Sequence, residues 1–347
     1  MLKIAFFDTK PYDKEIFQEL NKKYGFEIIY FEERLNDKTV KLTEGFDVVS
    51  IFVQDKASSL VINKLHEYGV KLIALRCAGY NNVDFKAARD KIHIVHVPAY
   101  SPHAIAEFTV SMMLTLNRKI HKSHTRTKDL NFSLSGLLGF DMYQKTVGII
   151  GTGKIAKILI KILKGFECNV IAYDLYPDTR SAEELGFSYV SLDELFIESD
   201  IISLHCPLTK DTEYIINANS INKMKKGAMI VNTGRGKLIN TKDLIEGLKE
   251  YKIGSAALDV YEEEDKYFYE DFSVSGVNDD VLSRLLTFPN VLITSHQAYF
   301  TKEALNNIAT TTLDSMMQLD EGKPLENEIA YICDENGCII KKVITQK

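Results

Sequence analysis

The segment Val147-Gly148-Ile149-Ile150-Gly151-Thr152-Gly153-Lys154-Ile155-Ala156, with Asp174 closing the next apolar run, limits this chain more than any other feature. It reads as a buried strand, a glycine turn, the start of a helix and an acidic residue. Gly151 permits the sharp turn out of the strand, and Gly153 lets backbone approach a pyrophosphate. Ala156 is small enough for the helix to pack on the strand. The phosphates would sit on unpaired N–H groups at the helix N-terminus, where the macrodipole favours negative charge. Glycine turns open many helices, so the surroundings decide. Val147 to Ile150 is apolar and mostly β-branched, as in a buried parallel strand. Ile155, Leu159, Ile162, Leu163 and Phe166 recur at helical spacing. Asn169 to Tyr173 reads as a second strand, and Asp174 lies about 20 residues past the turn, where a carboxylate bonds ribose hydroxyls. Such a carboxylate repels a 2′-phosphate, and Leu175 and Tyr176 bring no positive charge. The pattern points to NAD rather than NADP. An ordinary strand–helix–strand unit without a ligand is the bland alternative.

Bulk properties fit a water-soluble enzyme. At 347 residues the chain exceeds one comfortable core, so two domains are expected. A net charge of −6 argues against a nucleic-acid surface, which needs a basic stripe. The five cysteines (77, 168, 206, 333 and 338) are scattered; only Cys333 and Cys338 are close, without the spacing or histidines of a zinc site. No metal is expected, and the cysteine usage suits a reducing compartment. The start, Met1 to Asp8, is too short and interrupted for a signal peptide. No apolar run approaches the ~20 residues that span a bilayer. A cytoplasmic protein with no membrane partner is expected.

The chain reads as α/β, with two doubly wound, Rossmann-like domains built on parallel sheets. Residues 4–7, 27–31, 48–53, 72–75 and 93–97 read as strands with amphipathic segments between them. Pro98-Ala99-Tyr100-Ser101-Pro102 interrupts this unit, and a long helix starts near His103. Six further strands are expected at 147–150, 170–173, 201–204, 228–231, 255–258 and 291–294, a complete dinucleotide-binding domain. A last helix, about 301–319, should return to the first domain. Expected boundaries are 1–100 with 300–347 for a substrate domain and 101–299 for an NAD-binding domain. The active site is expected in the cleft between them. Glu262 to Asp271, acidic and aromatic, reads as a loop.

Hydride transfer at a carbon bearing oxygen needs a proton donor and a cation for an anionic substrate. Three residues at strand ends meet these needs. Arg235 stands in Asn232-Thr233-Gly234-Arg235-Gly236, just past a buried strand. Glu264 follows Ala257-Leu258-Asp259-Val260-Tyr261, and His296 ends Leu292-Ile293-Thr294-Ser295-His296. Taken singly, each has a bland reading: a surface charge, a solvated acidic loop, a strand cap. His205, also at a strand end, is the rival histidine.

In order and content these motifs resemble the D-isomer-specific 2-hydroxyacid dehydrogenases, most closely the bacterial fermentative NAD-dependent branch acting on lactate. The matching runs include Leu75 to Asp84, Val97 to Pro102, Phe132-Ser133-Leu134 through Gly139-Phe140, the glycine turn, Ile202 to Thr209, Asn232 to Gly236, Ala257 to Glu262 and Ser295 to Ala298. The resemblance puts the family's catalytic arginine, glutamate and histidine on Arg235, Glu264 and His296. It places the cofactor against Gly151, Gly153, Lys154, Ile155, Asp174, Cys206, Pro207, Thr212, Thr233, Gly234, Arg235 and Asp259, with Asp259 near the nicotinamide amide. The substrate would meet Arg235, His296, the backbone of Ala78 and Gly79, and the hydroxyl of Tyr100.

The implied reaction is reversible reduction of pyruvate to D-lactate with NADH. Arg235 would grip a 2-oxo acid through two parallel N–H bonds, a geometry lysine cannot copy. His296 would donate the proton, with Glu264 on its other ring nitrogen favouring the charged ring. Phe52, Tyr299 and Phe300 stand where the resemblance puts the pocket for the substrate's side chain, and bulky walls favour a methyl group. Core packing is the alternative for these aromatics. A larger 2-oxo acid, such as 2-oxoisocaproate or 2-oxoglutarate, is the alternative substrate, and a non-enzymatic NAD-sensing scaffold the alternative class. A homodimer or homotetramer is implied, with Met112, Met113, Leu114 and Leu116 on the helix from His103 offered as a pairing face.

Overall fold

The computed structural model describes residues 1–334 and 337–340, so 335–336 and 341–347 of the expected 300–347 segment lie outside the described residues. The chain divides into two compact units, Met1–Ser101 with Thr301–Lys347, and Pro102–Phe300.

In the first unit, β1 (Lys3–Phe6), β2 (Glu27–Tyr30), β3 (Val48–Ile51), β4 (Leu72–Leu75) and β5 (His93–Val95) form one parallel sheet in the order β2-β1-β3-β4-β5. The central strands β3 and β4 are apolar runs buried along their whole length, as strands covered on both faces must be. The helix Lys302–Asp320 returns to this sheet, and its Ala309, Leu313 and Met316 join Phe6, Val48 and Leu72 in one core. The chain order reverses between β1 and β3, the place where sheets of this order open a crevice at their carboxyl ends.

The second unit holds β6 (Thr146–Ile150), β7 (Asn169–Tyr173), β8 (Ser188–Tyr189), β9 (Ile201–Leu204), β10 (Ala228–Asn232), β11 (Ile253–Leu258) and β12 (Val291–Ile293). All pair parallel, in the order β12-β11-β10-β9-β6-β7-β8. Seven strands replace the expected six, because the two-residue β8 is too short to show a period. The turn helix Lys154–Gly165 lays Ala156, Leu159, Ile160 and Leu163 against the sheet. Gly148, inside β6, has a role the sequence reading passed over. A Cβ there would stand 2.2 Å from Ser199 Oγ and 2.7 Å from Leu195, so its absence lets the helix Leu192–Glu198 close on the strand.

Two expectations need correction. Met112, Met113 and Leu116 do not form a pairing face; they are buried in the core of their own unit beside Leu159 and Leu163, with Leu114 half-buried against it. The exposed apolar surface lies further on, at Leu130, Phe132, Leu134 and Leu138, the last 88% exposed. Helical periodicity marks which residues are apolar together, and it does not tell which partner covers them. The cysteine usage expected to suit a reducing compartment also includes one bond: Cys333 and Cys338 face each other across the hairpin β13 (Tyr331–Asp334) and β14 (Gly337–Ile340) and are joined as a disulfide. No helix among the described residues is long and apolar enough to cross a membrane, and none of their His, Cys, Asp and Glu side chains group as a metal site would.

Candidate active site

The nucleotide end is built by the turn after β6. Gly151 has φ +91°, and a Cβ on it would meet the backbone N of Cys206 at 2.6 Å. Only glycine lets the turn pass beneath the β9 loop. Gly153 caps the helix and faces open space, the room a pyrophosphate needs at a helix N-terminus. Beside it Lys154 is exposed and Ile155 half-buried. At the end of β7, Asp174 accepts bonds from the Thr152 N–H at 2.6 Å, the Thr152 hydroxyl at 2.9 Å and the Tyr176 N–H at 2.9 Å. Burial pushes this carboxyl up, but the Tyr176 and Thr152 donors outweigh it and hold the group below the usual range. An ionised carboxylate therefore stands where a ribose would lie, which fits NAD and opposes a 2′-phosphate. Tyr189, on the unforeseen β8, bonds Thr152 Oγ1 at 2.8 Å and braces the same corner.

On the far side of the turn, Thr212 Oγ1 donates to the carbonyl of Pro207 at 2.6 Å and knits the loop after β9. Burial pushes the Cys206 thiol up to about 11, which keeps it a neutral thiol at physiological pH. Thr233 is buried, its hydroxyl 3.0 Å from that of Thr109. Asn232 clamps the next turn from both sides: its Oδ1 accepts the Gly234 N–H at 3.0 Å and its Nδ2 donates to the Arg235 carbonyl at 2.9 Å. The Arg235 guanidinium is left exposed, resting on its neighbour's carbonyl at 2.8 Å. Gly236 sets what faces it. A Cβ there would fall 2.1 Å from the Tyr261 carbonyl, so glycine alone allows the arginine loop to lie against the Tyr261–Glu264 turn.

That turn carries Glu264 at the head of the 3-10 helix Glu264–Lys266. Its Oε2 accepts the Tyr261 N–H at 2.9 Å, and its Oε1 lies 2.9 Å from His296 Nδ1. Both side chains keep about a fifth of their surface open, at 19% and 23%. His296 sits beyond β12 in the left-handed region, φ +53°, a conformation that non-glycine residues hold only when the surroundings fix it. Asp259 provides that fixing. Its backbone carbonyl accepts the His296 N–H at 2.8 Å, and its fully buried carboxylate accepts from Thr294 Oγ1 at 2.5 Å, Gln297 N at 2.9 Å and Ala298 N at 2.9 Å. Tyr269, in the stretch expected to be plain loop, donates its hydroxyl to the His296 carbonyl at 3.2 Å. Neither support has a sequence signal, because both act across 27 or more residues.

The rival His205 differs. Its Nε2 lies 2.8 Å from Ser203 Oγ, and desolvation pulls its pKa down to about 4. A ring that stays neutral through physiological pH cannot supply a proton as imidazolium. Arg235, Glu264 and His296 are thus gathered in one unit around two loops locked by Gly236 and Asp259. Of the remaining candidates in this unit, Tyr299 is buried and Phe300 exposed.

In the first unit, Phe52 is buried at the end of β3, and Ala78 and Gly79 follow β4. The Ala78 carbonyl lies 3.0 Å from His96 Nδ1, and the Gly79 carbonyl 3.2 Å from Cys77 Sγ. Tyr100 holds its loop through its carbonyl, which accepts from Asn307 Nδ2 at 2.6 Å.

Residues 110–298 match the family model described as D-isomer specific 2-hydroxyacid dehydrogenase, NAD binding domain. The chain is 50% identical over 329 residues to D-lactate dehydrogenase of Escherichia coli, covering 94% of this chain and 100% of that protein. The apo structure of D-lactate dehydrogenase from Escherichia coli superposes with a TM-score of 0.88 at 48% identity, over 95% of this chain and 100% of that one. A structure described as the pyruvate reductase of Chlamydomonas reinhardtii superposes with a TM-score of 0.89 at 41% identity, over 94% and 98%.

Proposed function

The chain belongs to the D-isomer-specific 2-hydroxyacid dehydrogenases and is an NAD-dependent enzyme of that family, and from this premise we propose that it reduces pyruvate to D-lactate, reversibly. The observation that carries the reading is the His296–Glu264 pair, on a turn packed against the loop of the exposed Arg235 and in the same unit as a turn fitted for NAD. Bound NADH supplies the hydride to carbon 2 of the 2-oxo acid. Arg235 binds the substrate carboxylate and polarises the carbonyl through charge-assisted bonds. Glu264 holds Nδ1 of His296 and stabilises the imidazolium, which leaves Nε2 as the atom that delivers the proton to the carbonyl oxygen. Asp259 keeps the ring in place through the backbone of residues 296–298. In the reverse direction the neutral ring accepts the hydroxyl proton.

We assign the unit containing residues 1–101 to the substrate, with Phe52 against its side chain and Ala78, Gly79 and Tyr100 towards its carboxylate. Pyruvate is favoured over 2-oxoisocaproate and 2-oxoglutarate by the likeness to a D-lactate dehydrogenase and a pyruvate reductase and by the bulk of Phe52 and Tyr299. A homodimer joined through the exposed Leu130–Leu138 stretch is part of the same proposal, since contiguous apolar surface of this kind marks protein interfaces.

The test is NADH oxidation at neutral pH against a panel of 2-oxo acids, with chiral analysis of the product. Pyruvate preferred by about an order of magnitude, with D-lactate formed, supports the reading; one methylene in an apolar pocket gives discrimination of this size. Preference for a branched or dicarboxylic acid would overturn the substrate, and absence of turnover despite NADH binding would overturn the reaction.

A further inference from the structure

Phe52 follows the last residue of β3, so the parallel ladder does not hold its backbone. Two side chains do. Asp55, fully buried, accepts the Phe52 N–H at 2.6 Å on Oδ2 and the Leu35 N–H at 2.6 Å on Oδ1. Asn82 Nδ2 donates to the Phe52 carbonyl at 2.8 Å and to the Asp55 carbonyl at 2.9 Å. The N–H and the C=O of Phe52 are both captured by side chains, an expensive arrangement to lose in a buried loop. The two segments are tied further by the Ala57–Val83 bridge and by the Ala57 N–H on the Asn82 carbonyl at 2.9 Å. Beneath them lies Arg76, 1% exposed at the end of β4. It donates to the Phe7 carbonyl at 2.9 Å and Ser50 Oγ at 3.3 Å, with its guanidinium 3.8 Å from the Phe6 ring centre and 5.7 Å from that of Phe52.

We propose that Asp55 and Asn82 are positioning residues that fix the Phe52 ring and so set which size of 2-oxo acid the enzyme prefers. The inference rests on the reading above that Phe52 borders the substrate's side chain. Neither Asp55 nor Asn82 acts on the reacting atoms; each acts through the backbone of one aromatic residue. Asn82 stands three residues after Gly79, so a single loop links the aromatic wall to the backbone assigned to the substrate carboxylate. Asp55→Asn breaks the brace specifically: an amide offers one acceptor to two N–H donors and turns its own NH2 towards one of them.

The experiment measures kcat and KM for pyruvate and 2-oxoisocaproate in Asn82→Ala, Asp55→Asn, Phe52→Leu and the double variant Asn82→Ala/Phe52→Leu, with NADH affinity measured alongside. The expected result is that Asn82→Ala and Asp55→Asn each lower the pyruvate-to-isocaproate ratio of kcat/KM by about tenfold. The change should lie mainly in KM, with NADH affinity held within about twofold. Asn82→Ala should add under about twofold to Phe52→Leu, because both act through one ring. A general packing defect would lower both substrates alike and leave the ratio in place, which overturns the proposal. A ratio moved by Phe52→Leu but not by Asn82→Ala also overturns it and leaves the function standing. A ratio unmoved by Phe52→Leu removes the premise itself, and the proposal with it. Should Asp55→Asn fail to fold, the half-buried Asn82→Ala decides.

Discussion

Arg235 and Arg76 both follow a parallel strand, β10 and β4, each in its own unit, yet the two units use them in opposite ways. Arg235 is exposed on a loop whose backbone Asn232 and Gly236 lock, so its guanidinium faces outward on a rigid support. Arg76 is sealed beneath the Phe52 loop, and its donors go to the carbonyl of Phe7 and the hydroxyl of Ser50. The histidines repeat the contrast: His296 is partly open and paired with Glu264, while His205 is desolvated and held neutral. Position at a strand end therefore does not mark a chemical group. What sets Arg235 and His296 apart is a polar side chain kept open to solvent on a backbone that the fold has fixed, the setting the proposed chemistry needs.

The widest break between the two classes is expected at the histidines. His296→Ala should lower kcat for pyruvate by ~10²–10⁴-fold, the usual worth of a general acid. His205→Ala should change it by less than about tenfold, so equal losses in the two would erase the distinction. Next in size comes Arg76→Met, which removes a buried cation near Asp55 and Asp8. It should cost ~3 kcal/mol of stability, read as a lowered thermal midpoint. An unchanged midpoint would show that Arg76 is not scaffold. Arg235→Lys should do the reverse, leaving the midpoint in place while kcat/KM for pyruvate falls by about 10²-fold with the loss of the two-pronged carboxylate grip.

The smallest effect is one of pH. Burial holds the Asp55 carboxyl up at about 7, outweighing the Arg76 guanidinium and the Phe52 and Leu35 amides. A folded-state value raised above the ordinary 3.8 means that its contribution to stability is complete below about 3.8 and lost as pH rises through about 7. The thermal midpoint of the parent protein should therefore fall relative to Asp55→Asn as pH rises from about 4 to about 7, and level off above that. A difference that stays constant over that window would place the Asp55 titration elsewhere.

Much of this was legible in the chain itself. The glycine turn, Asp174 and the paired sheets follow from local spacing, because a strand, a turn and a helix each leave a period or a special residue within a few positions. Motif order singles out Arg235, Glu264 and His296, and the structure places all three in one unit, with Glu264 against His296. What escaped has a common physical cause. Asp259 under the His296 loop, Tyr269 on its carbonyl and Asp55 on the Leu35 N–H are contacts between a side chain and distant backbone, and Tyr189 meets the Thr152 side chain from another strand, with no local period to announce them. The mistaken pairing face at Met112, Met113 and Leu116 came from the same gap, since an amphipathic stripe buries itself equally well in its own core or in another chain.

The most direct test of the account is the pH profile of pyruvate reduction and of D-lactate oxidation, measured on the parent protein and on Glu264→Gln. If His296 must carry a proton to reduce the carbonyl and lose it to oxidise the alcohol, reduction falls and oxidation rises with increasing pH. Replacing Glu264 by a neutral amide weakens its bond to His296 Nδ1 and should then lower kcat in both directions. Profiles flat through neutrality, or a kcat unchanged in Glu264→Gln, would contradict the assignment of His296 and Glu264 as the proton-transfer pair.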